Sequence, residues 1–244
     1  KNKLVQYGFI STGNLNEKTA KIYADHCLMT NNVTLMNEAN RIFNYLGNWE
    51  QGDKPIVKMR NLLISPINMR SSFMDLIEKE IQIAKKGYVA SITVKLNSLT
   101  DTILLDALYK AVKAGVKVNL IIRGILTLKR TNEKNAGKIN AISIVDQYLE
   151  HARVIIFNNK GNQKVFISSA DWMVRNLDHR IEVAVPIVDP VIKKELIDII
   201  HIQLKDNQKA RILDGELSNK YVTSAKVTSF KSQEETYKFL KGKR

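Results

Sequence analysis

Phe9-Ile10-Ser11-Thr12-Gly13-Asn14 and Phe166-Ile167-Ser168-Ser169-Ala170-Asp171 match position by position as F-I-S-[S/T]-[G/A]-[N/D], 157 residues apart. Without a gap, the same offset sets Asp25 against Glu182 and Asn32 against Asp189. Each copy continues into a strand-like apolar run, Ile22 to Met29 and Ile181 to Val188, and then into an amphipathic helical stripe. Motif, strand and helix in the same order predict a duplicated α/β unit. The second copy carries chemistry just upstream of its motif, in His151-Ala152-Arg153. The matching position of the first copy falls before Lys1, so its histidine is expected in sequence that precedes this chain.

Outward from the repeat, Leu35, Met36, Ala39, Ile42 and Phe43 recur at helical spacing and fade at Leu46-Gly47. The polar, turn-rich run from Gly47 to Pro55 predicts a linker. It divides residues 1–54, the end of a first unit, from residues 55–244, a second and nearly complete one. Leu62 to Ser65 reads as a strand, and Met69, Phe73, Ile77, Ile81 and Ala84 mark a helix closed by Gly87. Val89 to Lys95 is a strand, Thr100 caps a helix from Asp101 to Ala114, and Val116 to Ile122 is the next strand. That alternation predicts an α/β fold of βαβ units on a mixed or parallel sheet. The basic stretch Thr127 to Lys138 is expected to be an exposed loop, and Ile142 to Tyr148 a short helix. Arg153 to Phe157 and Lys164 to Ser168 form a hairpin about Asn158–Gln163. Pro190 opens a helix to Leu204, and a polar tail follows from Lys205.

The chain has 244 residues, 44% of them apolar, enough for one large or two modest domains. Its net charge of +14 favours a polyanionic partner such as nucleic acid, an anionic membrane surface or a phosphate-rich substrate. A single cysteine, Cys27, excludes an internal disulfide and fits a reducing compartment. No apolar run reaches the roughly 18 residues that span a bilayer. Lys1 is not an initiator methionine, and the chain is expected to be a fragment of a longer protein.

Candidate site residues lie where strands end, since ligands of open α/β sheets bind beyond the carboxyl ends of the strands. Lys95 and Asn97 share a face by period two, and Arg123-Gly124 can present a guanidinium fork to phosphate; a salt bridge to a neighbouring carboxylate is the alternative. His151 and Arg153 also share a face, and a histidine beside a cation suits phosphoryl chemistry near neutral pH. Asn14, in the small polar run Ser11 to Asn16, belongs to a turn able to cradle an anion. Asp25 and Glu182 either orient histidines or arginines across a shared site or pair with surface lysines. His26, His179 and His201 read as structural. One cysteine and scattered histidines provide no metal cluster, and no P-loop, G-x-S-x-G or kinase glycine loop is present.

A histidine and a cation two residues apart, then a small polar turn, duplicated in two α/β halves, resemble the phospholipase-D superfamily. More closely, the chain resembles the carboxyl-terminal half of bacterial polyphosphate kinases of the phospholipase-D-like type. The resemblance rests on Ser11-Thr12-Gly13-Asn14-Leu15-Asn16-Glu17-Lys18-Thr19-Ala20, Ile64-Ser65-Pro66, Val94-Lys95-Leu96-Asn97, Ile122-Arg123-Gly124 and Ala141 through His151. Ser168 through Asn176 and Glu216 through Val222 complete it. It implies a phospholipase-D-like fold, with a mixed sheet flanked by helices, and reversible transfer of the terminal phosphate of ATP to inorganic polyphosphate through a phosphohistidine, with magnesium. The phosphorylated histidine and the metal ligands would lie upstream. Tyr23 and Arg123 match nucleotide- or phosphate-contacting positions, and His151 matches the second active-site histidine. Phe9 departs from the family's usual histidine.

ATP, ADP and polyphosphate are then the partners, with no specific nucleic acid. The resemblance also implies a homo-oligomeric, cytoplasmic enzyme, with peripheral association to the inner membrane a further expectation. The fragment alone is expected to be inactive. A phospholipase-D-like phosphodiesterase or nuclease is the competing enzyme; it would have H-x-K and then an aspartate where Arg153 and Asn158 stand. A basic, non-enzymatic polyanion-binding module is the other alternative.

Overall fold

The computed structural model describes residues 5–47, 59–128, 139–223 and 228–243. Its strands are β1 (Gly8–Ser11), β2 (Tyr23–Ala24), β3 (Cys27–Thr30), β4 (Leu63–Ser65), β5 (Ser91–Leu96), β6 (Lys117–Ile122), β7 (Asn140–Ile144), β8 (Leu149–Glu150), β9 (Arg153–Phe157), β10 (Lys164–Ser168), β11 (Glu182–Pro186) and β12 (Ala210–Ile212). Its helices are α1 (Val33–Gly47), α2 (Met69–Lys85), α3 (Thr102–Lys113), α4 (Val174–Asp178), α5 (Pro190–Leu204) and α6 (Ser232–Lys241).

Eight strands form one mixed sheet in the order β12-β7-β6-β5-β9-β10-β11-β4. β5, β6 and β7 run parallel, and the remaining pairs are antiparallel. Period-two alternation splits the strand side chains between two cores. Ile92, Val94, Leu96, Leu120, Ile155 and Phe166 pack with α2 and α3 on one face. Ile121, Val154, Ile156, Ile167 and Val185 pack with α1 and α5 on the other. Phe73 of α2 is fully buried, edge-on to Phe166 and close to Phe157 and Trp172; a side chain of that size contributes about 1.5–3 kcal/mol by burial. A mixed sheet flanked by helices is therefore present.

The duplication extends to hydrogen bonds and register. β1 pairs with β3 as Phe9↔Met29, Ile10↔Leu28 and Ser11↔Cys27; at the repeat offset, β10 pairs with β11 as Phe166↔Pro186, Ile167↔Val185 and Ser168↔Ala184. The bounds of α1 and α5 coincide under the same offset. Asn32 accepts from the Leu35 N–H as Asp189 accepts from those of Val191 and Ile192, which satisfies the open donors of each first turn. The two units are not separate bodies. Leu35, Met36 and Ile42 of α1 share a buried cluster with Ile64, Ile121 and Ile197, and β2 pairs in parallel with β8.

Several local expectations change. Ile142–Tyr148 is not a helix, because Ala141 to Ile144 form a strand buried between β6 and β12. A short apolar run that is dry on both faces has no amphipathic period to distinguish the two. The run Ile22–Met29 divides at Asp25-His26 into β2 and β3. Asp101, not Thr100, caps α3 by accepting from the Leu104 N–H. The polar tail contains β12 and α6. The linker expected from Gly47 to Pro55 lies outside the described residues except for Gly47, as does most of the loop Thr127–Lys138. Among the described residues, no helix is long and apolar enough to cross a membrane.

Candidate active site

The site forms at one end of the central strands, where β5 and β6 finish and β9 begins. β8 brings His151 there by pairing with β2: the His151 and Ala152 N–H groups both donate to the Ala24 carbonyl, at 3.2 and 2.9 Å. The next residue of the first repeat, Asp25, faces the imidazole. Both of its carboxylate oxygens lie 3.0 Å from His151 Nδ1. Thr12 Oγ1 donates to the same carboxylate at 2.6 Å and accepts from the His26 N–H. Burial pushes the Asp25 carboxyl up, but hydrogen bonds from His151 and Thr12 and the charges of His151 and Arg153 outweigh it and hold the group below the ordinary aspartate value. With that carboxylate ionised, Nδ1 carries the ring hydrogen and Nε2 presents the lone pair.

Arg153 is buried. It donates to Asp171 through Nε and Nη2, at 3.3 and 3.1 Å, and to the Thr12 carbonyl through Nη1, at 2.8 Å. Nη1 also lies 3.0 Å from His151 Nε2. Asp171 accepts from the N–H groups of Asn97 and Ser98, fastening the turn after β10 to the end of β5. Arg123 donates to Asn97 Oδ1, at 2.8 Å from Nε and again from Nη2. That amide is neutral, and no described carboxylate pairs with Arg123, so the half-buried guanidinium keeps its full charge toward solvent. Gly124 is required beside it: a Cβ there would lie 2.9 Å from the Asn97 carbonyl. The Tyr23 ring is tilted against the His151 imidazole with centroids 4.8 Å apart.

The hydroxyl–carboxylate pair occurs in both repeats. At the offset of Thr12 and Asp25, Ser169 donates to Glu182, and Ser169 accepts from the Val183 N–H as Thr12 does from His26. Asp25 has a histidine of the opposite repeat on it. Glu182 receives the Asn176 amide at 2.8 Å, and no described histidine reaches it.

Residues 62–233 match the family described as polyphosphate kinase C-terminal domain 2, and residues 1–52 match polyphosphate kinase C-terminal domain 1. The chain belongs to the polyphosphate kinase family. The polyphosphate kinases of Klebsiella pneumoniae and Escherichia coli (strain K12) are 47% and 45% identical to it over 98% of its length. The chain spans about a third, 34%, of each. The crystal structure of polyphosphate kinase from Porphyromonas gingivalis superposes on 98% of this chain and 36% of its own, at 40% identity and a TM-score of 0.91. Phosphatidylserine synthase from Haemophilus influenzae Rd KW20, 13% identical, covers 97% of this chain and 66% of its own with a TM-score of 0.56, and shares the fold alone.

Within the chain the structure brings together His151, Arg153, Tyr23 and the Thr12-Gly13 turn, with Asn97 and Arg123 at the ends of the adjoining strands. Asn14 is exposed beside the turn. Lys95 is elsewhere. Its side chain is buried at 2% exposure and its ammonium is paired with Glu150, so it supports the fold beneath the site and cannot reach a ligand. Arg153 is likewise held by Asp171 and Thr12, which makes it a fixed charge at the imidazole rather than a free phosphate fork. Asp25 meets His151 instead of a surface lysine. Neither Asp171 nor Glu150 stood out in sequence beforehand; the only trace of Asp171 was the acid at the final repeat position, where Asn14 is neutral. His26 is held neutral, its pKa pushed down to about 4 by burial first and by Lys95 second. Among the described residues, no group of three or more His, Cys, Asp or Glu is arranged to hold a metal ion.

Proposed function

We propose that this chain supplies the second half of the active site of a polyphosphate kinase, which moves the terminal phosphate of ATP reversibly onto inorganic polyphosphate through a phosphohistidine. The observation that carries the reading is the His151–Asp25 pair across the two repeats, in a chain 45% identical to the Escherichia coli enzyme over nearly all its length. His151 serves as the acid–base group. Asp25 holds Nδ1–H and stabilises the imidazolium when Nε2 takes a proton, and Nε2–H can then return it to a leaving phosphoryl oxygen. Arg153 supplies fixed positive charge at the same atom, and Arg123, aimed by Asn97, meets a phosphate of the nucleotide or of the polymer. The histidine that becomes phosphorylated belongs to the other half of the longer protein, with Glu182 in the place that Asp25 occupies here. The net charge of +14 supports a long polyanionic substrate. Homo-oligomeric assembly and a cytoplasmic location belong to the same reading.

His151→Ala in the full-length protein tests it. ATP-dependent polyphosphate synthesis should fall about 10²–10⁴-fold, the usual loss for a removed acid–base group. Wild-type synthesis by that variant would overturn the assignment.

A further inference from the structure

Three elements far apart in sequence converge on the residue immediately before His151. Glu150 is 4% exposed, and its carboxylate accepts from Lys95 Nζ of β5, from Gln203 Nε2 of α5 at 2.8 Å and from Gln233 Nε2 of α6 at 2.8 Å. Gln233 also takes both backbone groups of Tyr148. Its Oε1 accepts from the Tyr148 N–H at 3.0 Å, and its Nε2 donates to the Tyr148 carbonyl at 2.8 Å. One amide thus fixes both ends of the segment 148–150, whose last two residues are the strand β8.

That strand is too short to fix its own register. It pairs with β2 at two positions only, Tyr23↔Leu149 and Ala24↔Glu150. A slip of one residue would turn every side chain to the other face. The site depends on this register, because Ala24 leads directly to Asp25 and Glu150 directly to His151. A buried ion pair such as Lys95–Glu150 brings little net stability over apolar packing of the same volume. Its service here is positional.

We infer that Gln233, at the start of the carboxyl-terminal helix, is a positioning residue for phosphoryl transfer: it locks β8 on β2 and so holds the His151 imidazole against the Asp25 carboxylate. α6 is itself anchored by Asp206, which accepts from the Ser232 N–H at 2.7 Å while also gathering the Lys209 and Ala210 N–H groups. The first turn of α6 therefore bridges Asp206, beside the edge strand β12, and the segment that leads into His151. The inference rests on His151 acting as the acid–base group.

The test uses the full-length kinase. Gln233→Ala should lower kcat about tenfold or more with KM for ATP changed less than about twofold, since the ligand contacts remain and only the reacting geometry loosens. Glu234→Ala, one residue along and exposed, should leave both parameters unchanged. Gln233→Glu removes both donors and sets a carboxylate against Glu150, and should be worse than Gln233→Ala. Adding Glu150→Gln to it restores a donor–acceptor pair of reversed polarity beside Lys95 and should recover at least about tenfold in kcat. Wild-type kcat in Gln233→Ala, an equal effect of Glu234→Ala, or no recovery in the double variant would each overturn the inference. If His151→Ala is inactive while Gln233→Ala is normal, only the positioning role fails; if His151→Ala is fully active, the acid–base reading fails with it.

Discussion

At the scale of single residues, the site sets two charges beside one imidazole. Asp25 orients His151 at Nδ1, and Arg153 stands 3.0 Å from Nε2. Removing the carboxylate charge without changing its shape isolates the first effect. Asp25→Asn in the full-length protein still fills the space beside Gly13, where a Cβ would come within 2.2 Å of the native carboxylate. It can, however, donate to Nδ1 and turn the lone pair away from the reacting end. Synthesis is expected to fall by about 10²-fold or more while KM for ATP holds. Steady-state kinetics read both numbers, and an Asp25→Asn enzyme with unchanged kcat would show that the tautomer is set elsewhere. Arg123 illustrates how a neutral partner matters as much as an absent one, since Asn97 aims the fork without cancelling it.

At the scale of elements, the first-repeat helix is fastened to the second unit by hydrogen bonds as well as by its buried apolar face. Glu38 of α1 accepts from the N–H groups of Arg60, Asn61 and Leu62 and from the Asn61 side-chain amide. Burial pushes its carboxyl up, yet those donors more than offset it and hold it below the ordinary glutamate value. A depressed carboxyl stabilises the fold fully above its unfolded value, and that stability is lost as pH falls through the folded value. Glu38→Ala should therefore cost about 2 kcal/mol at neutral pH, lowering Tm by roughly 4–8 °C. The deficit should shrink below about pH 4.5, the range in which the wild-type carboxyl loses its advantage. Thermal melts of the two proteins across pH 3–7 measure it. The repeat, the βαβ core and the start of α5 at Pro190 were legible in the sequence because each writes a local period or a helix-start residue. The strand at Ala141–Ile144 and the brace of Gln233 on Glu150 were not. The first is buried on both faces, and the second joins two side chains 83 residues apart, with no local spacing to announce it.

At the scale of the whole molecule, the described residues hold the His151–Asp25 pair and, at the matching position of the other repeat, the carboxylate of Glu182. Glu182 repeats Asp25 in its hydroxyl partner and in the backbone donor beside that hydroxyl, without a described histidine. The purified 244-residue chain is accordingly expected to make no polyphosphate from ATP, measured by radiolabel incorporation under conditions where the full-length enzyme is active. Synthesis above background would show that one half suffices.

The exchange of partners between repeats also bears on origin. The carboxylate that serves His151 comes from the other copy, so a single copy of this unit could never have oriented its own histidine. An ancestor with one copy would have worked only as a twofold-symmetric pair, each subunit lending its acid to its neighbour. Fusion of two such genes would then have preserved an intermolecular contact inside one chain. It also freed the two copies to diverge: one acid could remain aspartate while the other became glutamate, and the motif could end in Asn14 on one side and Asp171 on the other.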